Sequence, residues 1–165
     1  MQDFVFKPNE NGTYAVVGYS GDEADVRIPD SCGGGVISVI GDKLFSGHKE
    51  ITSVSIPDTV TDIGEFVFDG CEKLETLELP SGLERLWGAT FARCGLTEIT
   101  LPDGIRAIPP YAFKECQKLK KVVCGKGLKH IYAWSFGGCD ELKELLFGAG
   151  VEVSPQAFSV NEEQK

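Results

Sequence analysis

Short stretches of alternating apolar and polar residues recur along the chain, and each is followed by a turn. The stretch LETLELP, for example, places the side chains of Leu77 and Leu79 on one side of an extended chain and the polar residues on the other. This alternation predicts a short strand that is buried on one face. The proline that follows, Pro80, predicts the end of the strand because proline cannot donate to a β ladder.

After each turn, apolar residues follow at a spacing of three, as in Leu83, Leu86 and Ala89. This spacing is typical of a tight helical or 3₁₀-like return. The pattern therefore predicts units made of a strand, a turn and a helical return, which is an α/β repeat fold.

The unit repeats every 22 or 23 residues. Phenylalanines mark it at Phe45, Phe68, Phe91, Phe113, Phe136 and Phe158. Cysteine follows three residues later at Cys71, Cys94, Cys116 and Cys139, where the first and last units have His48 and Asn161. One such unit cannot bury its apolar face alone, so stacked units must share a continuous core. We predict a solenoid of about six coils over residues 26–160, with a short insertion at 32–36.

The N-terminal segment has a different pattern. Asn11-Gly12 separates two strand-like runs within residues 4–19, and this dipeptide is a strong β-hairpin signal. We predict an N-terminal β-hairpin cap over residues 1–25 that covers the first coil. Asn11-Gly12-Thr13 is also an N-glycosylation sequon, which is the alternative interpretation. Residues 161–165 form a polar C-terminal tail.

The repeated pattern L-x-x-L-x-L-P-x-x-[LI]-x-x-I-x-x-x-A-F-x-x-C resembles the leucine-rich repeats of the BspA type. The resemblance covers residues 26–160, with glycine in place of proline at Gly125 and Gly148. It implies a leucine-rich-repeat solenoid with a parallel sheet on its concave face. It also implies a non-enzymatic adhesion or recognition module that is secreted or displayed on a cell surface and binds host or microbial surface or matrix proteins.

The C-terminal end shows no obvious cap, although the end of a solenoid normally needs a polar cover. Three interpretations follow: the array is truncated, it ends on the charged tail, or the C-terminal coil associates end to end with another copy.

The amino-acid composition excludes some classes of binding partner. The net charge of −9 argues against nucleic acid and against an anionic membrane surface as partners. Apolar runs are too short to insert into a membrane as a span. The N-terminus lacks a signal-peptide pattern, so either a leader has been removed or the protein is cytoplasmic. An intracellular scaffold or effector-type interaction domain is therefore the alternative function.

The cysteines need a separate explanation. In a solenoid, equivalent side chains stand in a row about 4.8 Å apart and run parallel, which gives poor disulfide torsions and no convergence on a metal. Core thiols are the favoured interpretation, and disulfides or a metal or redox role are the alternatives. Cys124 falls on an inward strand position, whereas Cys32 in the insertion is expected to be exposed.

Catalytic patterns are not evident. The chain shows no G-x-S-x-G, phosphate-binding or dinucleotide-binding sequence, and neither histidine has a compelling partner in the sequence. We therefore expect no enzyme activity, no catalytic residues, no metal and no cofactor.

Two surfaces are candidates for partner binding. The first is a strip of aromatic residues on the return side of the coils, which would be exposed or would instead pack against neighbouring loops. Its members are Phe66, Trp87, Tyr111, Tyr132 and Trp134. The second is the outward face of the concave strands, which would otherwise be an ordinary solvated surface. It includes Ser55, Glu78, Thr100, Lys121, Val123 and Leu146.

Overall fold

The structure, a computed structural model, describes residues 2–161. Fourteen short strands make up its regular secondary structure, and no helix occurs within those residues. The strands are β1 (Asp3–Pro8), β2 (Tyr14–Ser20), β3 (Asp25–Arg27), β4 (Ser31–Cys32), β5 (Gly35–Ile40), β6 (Ser53–Ser55), β7 (Asp62–Ile63), β8 (Arg85–Leu86), β9 (Glu98–Thr100), β10 (Ala107–Ile108), β11 (Lys121–Val123), β12 (His130–Ile131), β13 (Glu144–Leu146) and β14 (Glu152–Val153).

Strands β1 and β2 form an antiparallel pair that turns at Asn11 and Gly12. Gly12 has a φ of 83°, which is accessible to glycine at no steric cost. The Asn11 side-chain oxygen accepts hydrogen bonds from the backbone N–H and the hydroxyl of Thr13, at 3.1 and 2.6 Å. Strand β2 then pairs in parallel with β5, which joins this hairpin to the first coil.

Each coil places its strands in two parallel rows. One row contains the two-stranded sheet β3–β6 and the three-stranded sheet β9–β11–β13. The other row contains β5–β7–β8 and then β10–β12–β14. Within the first row Val122 lies opposite Ile99 on one side and Leu145 on the other, so equivalent residues of successive coils are in register. The chain is therefore a β-solenoid of about six coils with parallel sheets, as the repeat predicts.

The first row is interrupted at its third coil. Residues 75–79 form no strand, although Leu77 is buried at the predicted inward position. The interruption lies next to a shortened bend, the bend being the segment between the repeated cysteine and the leucine that follows it. The bend after Cys71 contains two residues, Glu72 and Lys73, whereas the bend after Cys94 contains only Gly95. A Cβ on Gly95 would lie only 2.1 Å from the backbone oxygen of Glu72, which shows how closely the two coils approach there. The prediction of a strand at this position is therefore wrong.

The return side consists of the short strands of the second row followed by turns, so the helical return and the α/β class predicted from the sequence are not confirmed. One residue in each of the first five returns has a left-handed backbone, as at Phe66 (φ 57°), Tyr111 (62°) and Trp134 (63°). A left-handed residue breaks the run of right-handed angles that a helix needs. Backbone N–H groups of the return instead donate to the next coil, as from Phe68 to Thr90 at 2.8 Å.

The core contains one column of aromatic rings along the solenoid. Neighbouring rings are stacked with centroids 5.2–5.7 Å apart, from Phe45 to Phe158. Tyr19 of strand β2 meets the first ring edge-on at 5.2 Å. Within the described residues, this column and the aliphatic residues around it form one continuous hydrophobic core.

The repeated cysteines lie at the bend beside this column, and all six cysteines of the chain are free thiols. The Cys116 thiol donates to the backbone oxygen of Phe91 in the preceding coil at 2.9 Å. Cys71 and Cys139 make the equivalent bonds at 3.3 and 3.0 Å. In the coil with the shortened bend, the Cys94 thiol instead lies 3.8 Å from the backbone oxygen of Leu74. Free thiols that line the core agree with the favoured interpretation of the cysteine row.

The two cysteines outside the row, Cys32 and Cys124, are half-buried. Cys124 packs against the core from its strand end. Cys32 is also half-buried, so the expectation that it would be exposed is wrong. The predicted polar tail lies outside the described residues except for Asn161. No helix in the described part of the chain is long and apolar enough to cross a membrane.

Candidate functional site

The aromatic residues of the return side fall into two separate rows. Trp87 and Tyr132 directly follow strands β8 and β12, and they occupy equivalent positions two coils apart. The buried Pro109 holds this position in the coil between them. Trp87 is 47% exposed and Tyr132 is 44% exposed. The Tyr132 ring stacks on His130 at 5.6 Å.

Phe66, Tyr111 and Trp134 form the second row, at the left-handed position of the return. All three are half-buried. The rings of Tyr111 and Trp134 stack at 5.4 Å with planes 17° apart, and Lys114 lies 5.8 Å from the centre of the Tyr111 ring. The Asn161 amide donates to the Tyr111 hydroxyl at 2.7 Å.

Phe66 likewise has a cation above it, since the Lys43 ammonium lies 6.0 Å from its ring centre. The second row therefore has partners within the chain. Of the five residues of the strip, Trp87 and Tyr132 have the largest fraction of their surface available to another molecule. That the strip binds a partner stays a prediction.

A surface cleft of about 560 Å³ opens beside Trp87. Its walls come from two successive coils, with Arg85 and Trp87 on one side and Arg106 on the other. Both arginines are exposed. Sequence reasoning singled out Trp87 but missed the two arginines, because they occupy neighbouring rather than equivalent positions in their coils.

The concave face carries a second cleft, of about 580 Å³, at the interruption of the first strand row. Glu78, Thr100, Lys121 and Val123 line it. Glu78 and Thr100 are exposed, whereas Lys121 and Val123 are half-buried. The cleft thus brings together four of the six residues predicted for this face.

The remaining two predicted residues of the concave face lie away from that cleft. Ser55 is exposed on strand β6 beyond the interruption. Leu146 is exposed at the end of strand β13, the edge strand of its sheet. The strands of the concave face therefore form two short sheets separated by residues 75–79, not one continuous sheet. Binding at either of them stays a prediction.

The repeated thiols are poorly suited to act as nucleophiles. Burial raises the pKa of Cys94 and of Cys139 to about 12, and it raises the pKa of Cys116 well above its usual value. A thiol is a nucleophile only as the thiolate, so these side chains are protonated and unreactive at neutral pH.

Both histidines lie beside glutamates. His48 Nδ1 is 2.8 Å from Glu50, and His130 Nδ1 is 3.3 Å from Glu152. The hydrogen bond from His48 lowers the pKa of Glu50. Among the described residues, no three side chains of the metal-binding types come together as a possible metal site.

Comparison with known proteins identifies the repeat. Residues 38–164 match the family described as the BspA type leucine-rich repeat region, in six copies. Comparison with curated protein sequences gives no match.

Several solved structures share the fold, among them the following three. A leucine-rich repeat protein of Treponema pallidum is 22% identical with a TM-score of 0.78, over 91% of this chain and 82% of that one. A leucine-rich repeat protein of Bacteroides ovatus is 25% identical with a TM-score of 0.68, over 96% of this chain and 50% of that one. A leucine-rich cell surface protein of Faecalibacterium prausnitzii is 23% identical with a TM-score of 0.64, over 88% and 54%. The chain thus spans about half the length of the latter two.

Proposed function

Because the chain belongs to the family of BspA-type leucine-rich repeats, we propose that it is a non-enzymatic protein-binding module of a cell-surface or secreted protein. Leucine-rich repeat proteins are generally protein-interaction modules. The partner in this proposal is a surface or matrix protein of a host or of another microbe. The similar Faecalibacterium protein is described as a cell surface protein, which supports this location.

The exposure of Trp87 and Tyr132 is the observation that carries the proposal. Phenylalanines at the core position of the first five coils are buried in the central column, so the fold does not need these two further aromatic rings for its core. Tryptophan and tyrosine are enriched among the residues that dominate binding energy at protein interfaces. Two such rings on the same side of the solenoid therefore favour a partner-binding surface.

A capture experiment tests this surface. The immobilised protein would be exposed to a panel of purified extracellular-matrix and mucosal proteins, and the double variant Trp87→Ala/Tyr132→Ala would be compared with it. Residues that dominate an interface contribute about 2 kcal/mol or more, so we expect at least a tenfold loss of affinity. The control is the double variant Thr100→Ala/Leu146→Ala on the concave face. Failure of the unaltered protein to capture any protein of the panel would contradict the proposed function.

The concave face is the second candidate surface, and the cleft of about 580 Å³ at Glu78 and Lys121 favours it. A partner that used this face would lose affinity in the Thr100→Ala/Leu146→Ala variant and keep it in the Trp87→Ala/Tyr132→Ala variant. The same experiment thus assigns the binding face.

An intracellular scaffold is the second candidate function. Its supporting observation is that all six cysteines are free, because unpaired thiols are typical of proteins in reducing compartments. Capture from a cytosolic lysate, compared with capture from the matrix panel, distinguishes the two locations. A specific cytosolic partner together with no matrix partner would favour the scaffold.

End-to-end self-association at the C-terminal coil is a further part of the proposal. Phe158 is 56% exposed and stacks on Phe136 on one side only. Val160 and Phe147 are also exposed at this end. An apolar end of this kind favours contact with a second copy.

A further inference from the structure

Trp87 differs from the other members of the aromatic strip in its surroundings. Tyr111 and Trp134 stack on each other, Phe66 lies under a lysine, and Tyr132 stacks on a histidine. Within residues 2–161, Trp87 has neither a ring nor a cation as a partner. Its ring is therefore available on the wall of the cleft.

The cations around this cleft are also unpaired. Arg85, Arg106 and Lys129 are exposed, and none of them forms an ion pair with any residue in the described part of the chain. By contrast, Arg93 on the bend side of the coils lies between Asp69 and Glu115, at 3.0 and 3.6 Å.

The lining of the cleft has a net positive charge, because Arg85 and Arg106 accompany one carboxylate, Glu84, although Asp62 is the strand partner of Arg85 just beyond it. The chain has a net charge of −9. The three unpaired cations lie on three successive coils, with Glu84 as the acidic residue that lines the cleft. His130, in the same region, is paired with Glu152. The positive lining would attract an acidic ligand, whereas the net negative charge of the whole protein disfavours one.

We propose that the cleft formed by Arg85, Trp87 and Arg106 binds an acidic, extended segment of a partner protein. In this arrangement the two guanidinium groups hold carboxylates, for which their planar fork of donors is suited. Trp87 packs against an apolar side chain of the same segment, and Lys129 continues the positive surface along the next coil. The proposal rests on the proposed protein-binding function and adds the chemical class of the partner.

Fluorescence of Trp87 provides a direct measurement. The chain contains two tryptophans, so in a Trp134→Phe background Trp87 is the single reporter. The probe is a synthetic twelve-residue peptide of alternating glutamate and serine with one central leucine, and its matched control carries glutamine in place of every glutamate. We expect saturable quenching or a spectral shift with the glutamate peptide alone, and weaker binding as salt rises from about 50 to 300 mM.

Charge removal then tests the residues. In the double variant Arg85→Gln/Arg106→Gln, we expect the affinity for the glutamate peptide to fall about five- to tenfold, the sum of two solvent-exposed ion pairs. The control variant Lys73→Gln/Lys126→Gln removes the same charge from exposed positions outside the cleft and should keep the affinity within twofold. If Trp134→Phe does not fold, the indole N–H signal of Trp87 in the unaltered protein provides the same titration by NMR.

Three results would overturn the proposal. These are equal responses to the glutamate and glutamine peptides, equal losses in the two charge variants, and binding of a heparin oligosaccharide without binding of the glutamate peptide. Capture of a matrix protein by the unaltered protein, with no response to the glutamate peptide, would reject the acidic segment and leave the protein-binding function in place.

Discussion

The rings of Phe113 and Phe136 lie 5.2 Å apart, centre to centre, and their planes are only 2° from parallel. The two residues occupy the same position in successive coils, and the column of rings extends from this pair in both directions. Within this column each ring stacks only on the rings of adjacent coils. The stability of the solenoid is therefore close to a sum of contacts between neighbouring coils.

Removal of a central ring of the column should lower the free energy of unfolding far more than removal of the last ring. Phe91 is fully buried between two rings, so Phe91→Ala should lower the free energy of unfolding by about 3–5 kcal/mol. Phe158 is largely exposed and has a ring on one side only. Phe158→Ala should therefore cost less than about 1.5 kcal/mol. Urea unfolding followed by circular dichroism measures both, and equal losses would contradict a column of nearest-neighbour contacts.

The buried thiols should make the protein sensitive to alkaline pH. Burial raises the pKa of Cys94 and Cys139 to about 12, whereas a thiol in the unfolded chain ionises near pH 8.5. The unfolded state then releases protons that the folded state keeps. The stabilisation is therefore complete below about pH 8.5 and is lost as the pH rises towards 12.

The double variant Cys94→Ala/Cys139→Ala isolates this effect. Each thiol contributes about 1.4 kcal/mol per pH unit to the pH dependence of the free energy of unfolding in that range. Between pH 9.5 and 11, the free energy of unfolding of the unaltered protein should therefore fall more steeply than that of the variant, by about 2.7 kcal/mol per pH unit. Urea unfolding at each pH, under reducing conditions, gives the two slopes. The variant will also be less stable at neutral pH because of the cavities, but only the slopes matter. Parallel curves would mean that the thiols do not titrate on unfolding.

The sequence predicts the coils well because each core position is occupied by the same kind of residue. The spacing from Phe45 to Phe158 sets the number of coils, and the free, core-lining thiols agree with the interpretation drawn from their position. Periodicity reports which side chains point inward, and the inward residues of a solenoid are strongly constrained.

The conformation of the return could not be read from the sequence in the same way. Left-handed backbone angles are usually recognised from glycine, but here Phe66, Ala89, Tyr111 and Trp134 adopt them. Without a glycine to mark the left-handed position, the apolar residues at a spacing of three, such as Leu83, Leu86 and Ala89, were compatible with a helix. The energetic cost is offset by hydrogen bonds to the next coil, which are contacts between distant parts of the sequence.

The candidate site was only partly predictable for a related reason. Trp87 was recognised because aromatic residues are rare enough to be noticed when they recur. Arg85 and Arg106 were not, because their approach across the cleft depends on how one coil sits on the next. A single sequence indicates which residues are outward but not which of them become neighbours.

A left-handed position at the bend offers a matched test of backbone strain. Gly70 has a φ of 79°, and a Cβ there would lie 3.7 Å from Gly47, which is an ordinary contact. Gly70→Ala should lower the free energy of unfolding by about 1 kcal/mol because of its backbone angle alone. A Cβ on Gly82 would also lie 3.7 Å from its nearest neighbour, the backbone oxygen of Asp58, but Gly82 has no positive φ.

The Gly82→Ala control should be neutral or stabilising by about 0.5 kcal/mol, because alanine restricts the unfolded chain. Arg93 and Glu115 hold the position of Gly70 in the next two coils with φ values of 53° and 55°, so the fold tolerates a Cβ there at some cost. Thermal unfolding of the two variants measures the difference. Equal stabilities would show that the backbone of Gly70 is not strained by a side chain.

The exposed end of the aromatic column should control self-association. Phe158 presents one ring face that has no further coil to cover it within the described residues, and Phe147 and Val160 are exposed at the same end. Burial of such a surface against a second copy would be favourable at about 25 cal/mol per Å² before the cost of association is subtracted.

Sedimentation velocity over a range of concentrations should therefore show a reversible dimer, and Phe158→Ser should shift it to the monomer. Val36→Ser, which removes an exposed apolar side chain from the hairpin of β4 and β5, is the control and should leave the dimer unchanged. A monomer at every concentration, or a dimer that Phe158→Ser does not weaken, would exclude association through this end.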